Sequence, residues 1–101
     1  MERQPLRLEL YTRSNCHLGD DLRAICLRLA DEVALDLVEV NVDGSPHLQV
    51  QFGAEIPVLF IEGRKAVRFR TSERELRQIL NWYLVRRRFL GWRSRGTERR
   101  G

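Results

Sequence analysis

Two residues in this chain could carry covalent chemistry, Cys16 and Cys26. Cys16 sits in the stretch LYTRSNCHLGDD, Leu10 to Asp21, which reads as a loop joining a strand to a helix with the cysteine at its apex. The thiolate is the reactive form of cysteine. A thiol at a helix N-terminus meets unpaired backbone N–H groups and the positive end of the macrodipole, and both favour that form. Arg13, three residues before Cys16, is placed to add a positive charge, and His17 assists when protonated. Asp20 and Asp21 suit the helix dipole but oppose a neighbouring thiolate. Loops of this kind usually carry a second cysteine three residues after the first. Here that residue is Gly19.

The missing cysteine decides which chemistry is left. A paired site attacks a disulfide with its first thiol and resolves the mixed disulfide with its second. With one thiol, resolution falls to an external one, typically glutathione. Cys26 is no substitute, because ten residues along a helix is roughly 15 Å and bridged cysteines need Cα atoms within about 7 Å. It also falls on an apolar stripe with Leu22 and Leu29, which reads as a buried, inert thiol.

The elements that must position Cys16 follow from periodicity. Leu6, Leu8 and Leu10 alternate with Arg7 and Glu9, as in a strand. Leu18, Leu22, Ile25, Cys26, Leu29 and Val33 recur at helical spacing, giving a helix of about four turns. LDLVEVNV puts Val38, Val40 and Val42 on one face of a second strand. Asp43-Gly44-Ser45-Pro46 is turn chemistry, with Pro46 suited to the first turn of a short helix over 47–52 that Gly53 ends. The apolar run Val58 to Ile61 suits a central strand buried on both faces. Glu62-Gly63-Arg64 turns the chain into KAVRFR, with Val67 and Phe69 pointing inward, so the two strands form an antiparallel hairpin. Ser72 with Glu75 is a capping box ahead of the stripe Leu76, Ile79, Leu80, Tyr83 and Leu84. The order is β-α-β-α-β-β-α, an α/β fold with a four-stranded mixed sheet and helices on both faces.

Length and composition bound the answer. One hundred and one residues with 43% apolar content make one domain able to bury a single core without metal or disulfide staples. The two cysteines fit no disulfide scaffold and no zinc spacing. A reduced, cytoplasmic setting follows, and MERQPLRLEL lacks the apolar run of a signal peptide or anchor. Of the net charge of +4, residues 86–101 carry seven arginines and one glutamate, or +6, leaving −2 for residues 1–85.

With a cysteine ending the first strand and a proline opening the third, the order resembles the thioredoxin fold in its short, glutaredoxin-like form, from about Leu6 to Leu84. Leu-Tyr-Thr-Arg, Cys16-His17-Leu18, Asn41-Val42-Asp43 and Ile56-Pro57-Val58 resemble the small glutaredoxin-like bacterial proteins whose loops commonly read Cys-His-Leu-Cys. The resemblance implies a cis Ile56–Pro57 bond, with Ile56 and Pro57 docking the substrate backbone and His17 beside it. Glutaredoxins usually carry a Gly-Gly turn and an aspartate where this chain reads RFRTSERE. Thr71 and Ser72 could offer hydroxyls there, and the helix N-terminus could meet a carboxylate. A cluster-binding monothiol loop would read Cys-Gly-Phe-Ser, which this chain lacks.

The expected function is monothiol thiol–disulfide exchange of the glutathionylation and deglutathionylation type. Cys16 is the nucleophile and Arg13 tunes it. Glutathione is a co-substrate, with no tightly bound cofactor and no metal. Thiol and disulfide substrates, including glutathionylated proteins, are the partners of a monomer that does not engage membranes. The competing reading is a non-catalytic thioredoxin-fold binding module acting through its surface or its tail. In that tail, arginines interleave with Phe89 and Trp92, a composition that single-stranded nucleic acid or an anionic membrane surface would also suit. The reading adopted is a domain over 1–90, then a solvated helix end and a disordered, solubilising tail over 91–101.

Overall fold

The computed structural model describes residues 4–98, with side chains to Phe89. The elements run β1 (Leu6–Thr12), α1 (His17–Leu29), β2 (Leu35–Asn41), a 3-10 turn over Val42–Gly44, α2 (Pro46–Phe52), β3 (Val58–Ile61), β4 (Arg64–Arg68) and α3 (Glu73–Glu98). In the sheet the order is β2-β1-β3-β4, with β1 and β2 parallel and β3 antiparallel to both β1 and β4. This is the expected β-α-β-α-β-β-α mixed sheet.

Alternation along β1 separates two layers. Leu6, Leu8 and Leu10 are fully buried and join Leu22, Ile25, Cys26 and Leu29 of α1 with Leu76, Leu80 and Tyr83 of α3 in one core. Leu59, Ile61 and Val67 complete it from β3 and β4. Burying a side chain of the Leu class stabilises the fold by about 1.5–3 kcal/mol, so this one cluster dominates the energetics. On the opposite face Tyr11, Phe52 and Phe60 form an aromatic cluster beneath α2, with centroids 4.5 to 5.7 Å apart.

Caps and turns behave as their residues dictate. Ser45 Oγ accepts the Leu48 N–H at the start of α2, and Pro46 takes its first position. The capping box of α3 is reciprocal: Ser72 Oγ accepts from the Glu75 N–H at 3.0 Å, and the Ser72 N–H donates to Glu75 Oε1 at 3.3 Å. The β3–β4 hairpin turns on Glu62 and Gly63, both at positive φ, the backbone that matches strand twist in a two-residue turn.

Four details differ from the sequence expectation. Phe69 does not point inward; it is 40% exposed at φ 68°, just past β4. The cause is a bulge between the Leu59–Val67 and Phe60–Lys65 pairs, followed by a turn in which the Phe69 N–H donates to the Pro57 carbonyl. Along β2, Leu35 and Leu37 are the residues packed on the main core, whereas Val38 is 38% exposed on this edge strand. Val33 lies beyond the end of α1, in the turn to β2, where it is half-buried against the core. Finally, α3 stays helical to Glu98, past the expected domain end at Leu90. Arginine is a good helix former, Gly91 and Gly96 each cost only about 1 kcal/mol, and cations suit a helix C-terminus. Of the expected tail, residues 99–101 lie outside the described residues.

Candidate functional site

Cys16 is the N-cap of α1. Its backbone is extended, at φ −103° and ψ 104°, and its sulfur accepts the Gly19 N–H at 3.3 Å. The thiol is half-buried, and one of the orphan donors of the helix start points at it. That is the arrangement the sequence implies, with a sulfur in the place where serine or aspartate usually caps. His17, the first residue of α1, is exposed beside it.

Three hydrogen bonds hold the loop ahead of Cys16. The Ser14 N–H donates to Asp43 Oδ2 at 3.1 Å, Asn41 Nδ2 donates to Ser14 Oγ at 3.1 Å, and Arg13 Nη2 donates to the Gly53 carbonyl at 3.1 Å. Arg13 thus acts as a strut from the loop to the end of α2, while its charge stays three residues from the thiol. Asn15 closes the loop at φ 59°, a conformation asparagine tolerates better than most residues. Asp43 was legible as turn chemistry and Asn41 as the end of the second strand, both within the stretch that carries the family resemblance, and nothing in their spacing tied them to Ser14.

Gly19 is buried, and a Cβ there would collide with Thr12 Oγ1 and lie 3.3 Å from Cys16 Sγ. Thr12 is the only buried polar side chain among the described residues, and its hydroxyl donates to the Arg13 carbonyl at 3.4 Å. The position of a second cysteine therefore holds no thiol and is crowded: a side chain there requires the Thr12 hydroxyl to rotate away. Cys26 is 1% exposed in the core, and burial, with a smaller contribution from the Glu39 charge, pushes its thiol up to about 11.

The Ile56–Pro57 bond is cis, and Pro57 is fully buried. Tyr11 pairs with Val58, so the loop after β1 and the loop before β3 leave the same end of the sheet. This brings the Cys16 and Pro57 loops together at one pole. Phe69, Arg70 and Thr71 follow β4 at that pole, tied to it by the Phe69–Pro57 hydrogen bond of 2.7 Å.

Thr71 and Ser72 are largely committed elsewhere. Thr71 Oγ1 donates to Glu75 Oε1 at 3.1 Å, and Ser72 Oγ is taken by the cap of α3. A groove of about 230 Å³ runs between α1 and this segment, lined by Leu18, Asp21, Leu22, Ile25, Arg70 and Thr71. A larger hollow of about 420 Å³ lies against β4 and α3 and shares Arg70 and Thr71 with it. The smaller groove is the relevant one, since it opens two residues from Cys16. Arg70 is exposed and, among the described residues, has no ion-pair partner. The sequence reading missed it. Among the described residues no group of three or more His, Cys, Asp or Glu side chains could hold a metal ion.

A parallel β1–β2 pair, an antiparallel β3–β4 hairpin, a cysteine capping the first helix and a cis-proline opening β3 define a thioredoxin-fold protein. Thioredoxin of Halobacterium salinarum superposes with a TM-score of 0.60 at 18% identity, over 79% of this chain and 75% of that one. Residues 7–84 match the model of the Glutaredoxin-like domain (DUF836), and the chain belongs to that family. Protein Ne2328 of Nitrosomonas europaea is similar at 25% identity and a TM-score of 0.68, over 82% of this chain and 95% of its own. A structure from X. campestris is 31% identical with a TM-score of 0.62, over 73% of this chain and 95% of its own. Uncharacterized protein Rv0508 of Mycobacterium tuberculosis is 31% identical over 83 residues, 70% of this chain and 78% of its own. Among the described residues no helix is long and apolar enough to cross a membrane.

Proposed function

We propose that this protein is a monothiol thiol–disulfide exchange protein acting on glutathione mixed disulfides in the cytoplasm. The observation that carries the reading is the pairing of Cys16 with Gly19: an accessible sulfur capped by a backbone N–H, beside a position that holds no second thiol and is crowded by the Thr12 hydroxyl. The Cys16 thiolate attacks the glutathione sulfur of a protein–glutathione disulfide. That S–S bond breaks, and the released protein thiolate takes up a proton. A glutathione thiolate then attacks the Cys16 adduct, freeing Cys16 and yielding oxidised glutathione. The exchange balances: the incoming glutathione sulfur rises to the disulfide level as the substrate sulfur falls to the thiol level, and the transferred glutathione sulfur stays in a disulfide throughout.

Around the sulfur, Arg13 supplies positive charge and His17 lies at the rim. The backbone of Ile56 and Pro57 aligns the substrate chain, and the groove from Leu18 to Thr71 takes the tripeptide with Arg70 facing a carboxylate. Thr71 and Ser72 contribute through the helix start they cap rather than through free hydroxyls. Intact-mass kinetics test the reading. Reduced protein mixed with oxidised glutathione gains one glutathione quickly and loses it on return to reduced glutathione, and Cys16→Ser gains none. Addition at the rate of an ordinary exposed thiol would sink the proposal.

A second reading, a binding module without turnover, draws on the arginines at the end of α3. It predicts binding to a partner that survives Cys16→Ser and is lost on removing residues 86–101.

A further inference from the structure

Helix α3 changes character midway. Its first half is clamped: Leu76, Leu80 and Tyr83 enter the core, and Arg77 pairs with both Glu32 and Glu73. From Trp82 onward the opposite face carries Trp82, Val85 and Phe89, which are 52%, 54% and 64% exposed. Spacings of three and four residues put them on one line along the helix, turned away from the domain. Arg86 and Arg88 flank that line, and neither joins an ion pair among the described residues. Arg87 points back and donates to the carbonyls of Gln4 and Pro5, fixing which face looks outward.

We infer, against the sequence expectation of a protein that does not engage membranes, that this face is a docking surface for an anionic lipid bilayer, with α3 lying along the headgroup region rather than crossing it. An apolar line with arginines on its flanks matches a surface-lying amphipathic helix: the apolar side chains enter the acyl boundary and the cations meet lipid phosphates. The charge distribution agrees, since residues 86–101 carry +6 and residues 1–85 carry −2. Single-stranded nucleic acid fits less well. Val85 offers no stacking surface, and the Trp82 ring already has the Arg86 guanidinium over it at 5.6 Å and the Tyr83 ring against it at 4.9 Å. A second copy of the chain would bring two sets of unpaired arginines together. The inference stands apart from the exchange chemistry of Cys16.

The test is co-sedimentation of the full chain with vesicles of phosphatidylcholine alone and of phosphatidylcholine with phosphatidylglycerol. Binding is expected only to the anionic vesicles and should weaken with salt. Arg86→Gln with Arg88→Gln should weaken it on the order of 30-fold. Trp82→Ser with Phe89→Ser should weaken it as well. All four side chains lie outside the core, so far-UV circular dichroism should be unchanged. Absence of binding by the unaltered chain overturns the inference. Binding indifferent to Trp82 and Phe89, tighter binding to a single-stranded oligonucleotide, or burial of the face by self-association in solution would each overturn it too.

Discussion

Cys16 and Cys26 are the same residue on the same helix, and the fold gives them opposite chemistry. Cys16 stands before the first turn, half-exposed, with a backbone N–H directed at its sulfur. Cys26 lies nearly three turns further on, sealed between Leu22, Leu29 and the sheet, where burial holds it in the neutral form. What separates them is position on the helix: the end offers unpaired donors and water, whereas the apolar stripe offers neither. An accessible thiol and a packing thiol thus differ in their surroundings rather than in their own structure.

The sharpest way to break this comparison is differential alkylation. With iodoacetamide at neutral pH, Cys16 should react as an accessible thiol, and Cys26 should react only through opening of the core. The rate ratio should exceed about 10³, because access to Cys26 requires something close to global unfolding. Peptide mapping of the singly labelled protein reads the result directly. Comparable labelling of both thiols would end the contrast.

Alkali tests the buried member. Its thiol is raised from the usual 9.0 to about 11 in the folded state. The unfolded chain therefore ionises first, and the stability this thiol contributes is whole below about pH 9 and lost as pH rises to about 11. The loss amounts to about 3 kcal/mol. Urea midpoints measured across that window should fall for the unaltered chain. Cys26→Ala should start lower, because of its cavity, and fall less.

How much of this was legible follows from the physics each residue obeys. Cys26 could be read because burial on a helix leaves a period in the sequence. Cys16 could be read because an N-cap is local. The capping box of Ser72 and Glu75 and the turn at Asp43–Pro46 are local for the same reason. Phe69 was misread: its alternation was correct, but a bulge in the β3–β4 hairpin and a hydrogen bond to the Pro57 carbonyl outweighed it. The contact of Thr12 with Gly19, the tie of Arg13 to Gly53 and the role of Arg70 as groove wall all join segments far apart in sequence or conformation, and composition carries no trace of them. The family model matches residues 7–84, so the fold was specified by the whole pattern, whereas the crowded position at Gly19 is a matter of one contact.

Converting Cys16 into half of a pair probes that contact. Gly19→Cys places a Cβ where Thr12 Oγ1 stands, so Thr12 must rotate, and overpacking of this kind costs about 1–3 kcal/mol. Thr12→Ala in the same chain removes the hydroxyl and should recover much of the loss, so the two substitutions should couple in a double-mutant cycle. Thermal denaturation reads the coupling, and thiol titration after mild oxidation shows whether the new cysteine bonds to Cys16. Simple additivity would mean that Thr12 does not crowd position 19.

The smallest expected effect distinguishes the two ends of α1. The Cys26 end is braced to α3 by Arg28 with Glu73 and by Glu32 with Arg77, each at an N–O distance of 2.8 Å, and Arg77 also pairs with Glu73 within α3. Among the described residues the Cys16 end has no such brace to α3. Hydrogen bonding to the Arg77 guanidinium holds Glu32 below the usual carboxylate range, and hydrogen bonding to Arg28 does the same for Glu73. A carboxylate lowered in the folded state adds stability above its unfolded value of about 4.5, and that stability is lost as pH falls through the folded value. These groups are solvent-exposed, so the melting temperature should drop only slightly between about pH 5 and 3. The drop should shrink in Arg77→Gln. Amide-exchange protection near Glu32, taken relative to the intrinsic rate at each pH, should fall over the same range, while protection at Gly19 should fall no more than that of the whole domain, because its N–H is held by the sulfur rather than by an ion pair. A parallel loss of protection at both ends would show that the brace stabilises the helix as one unit.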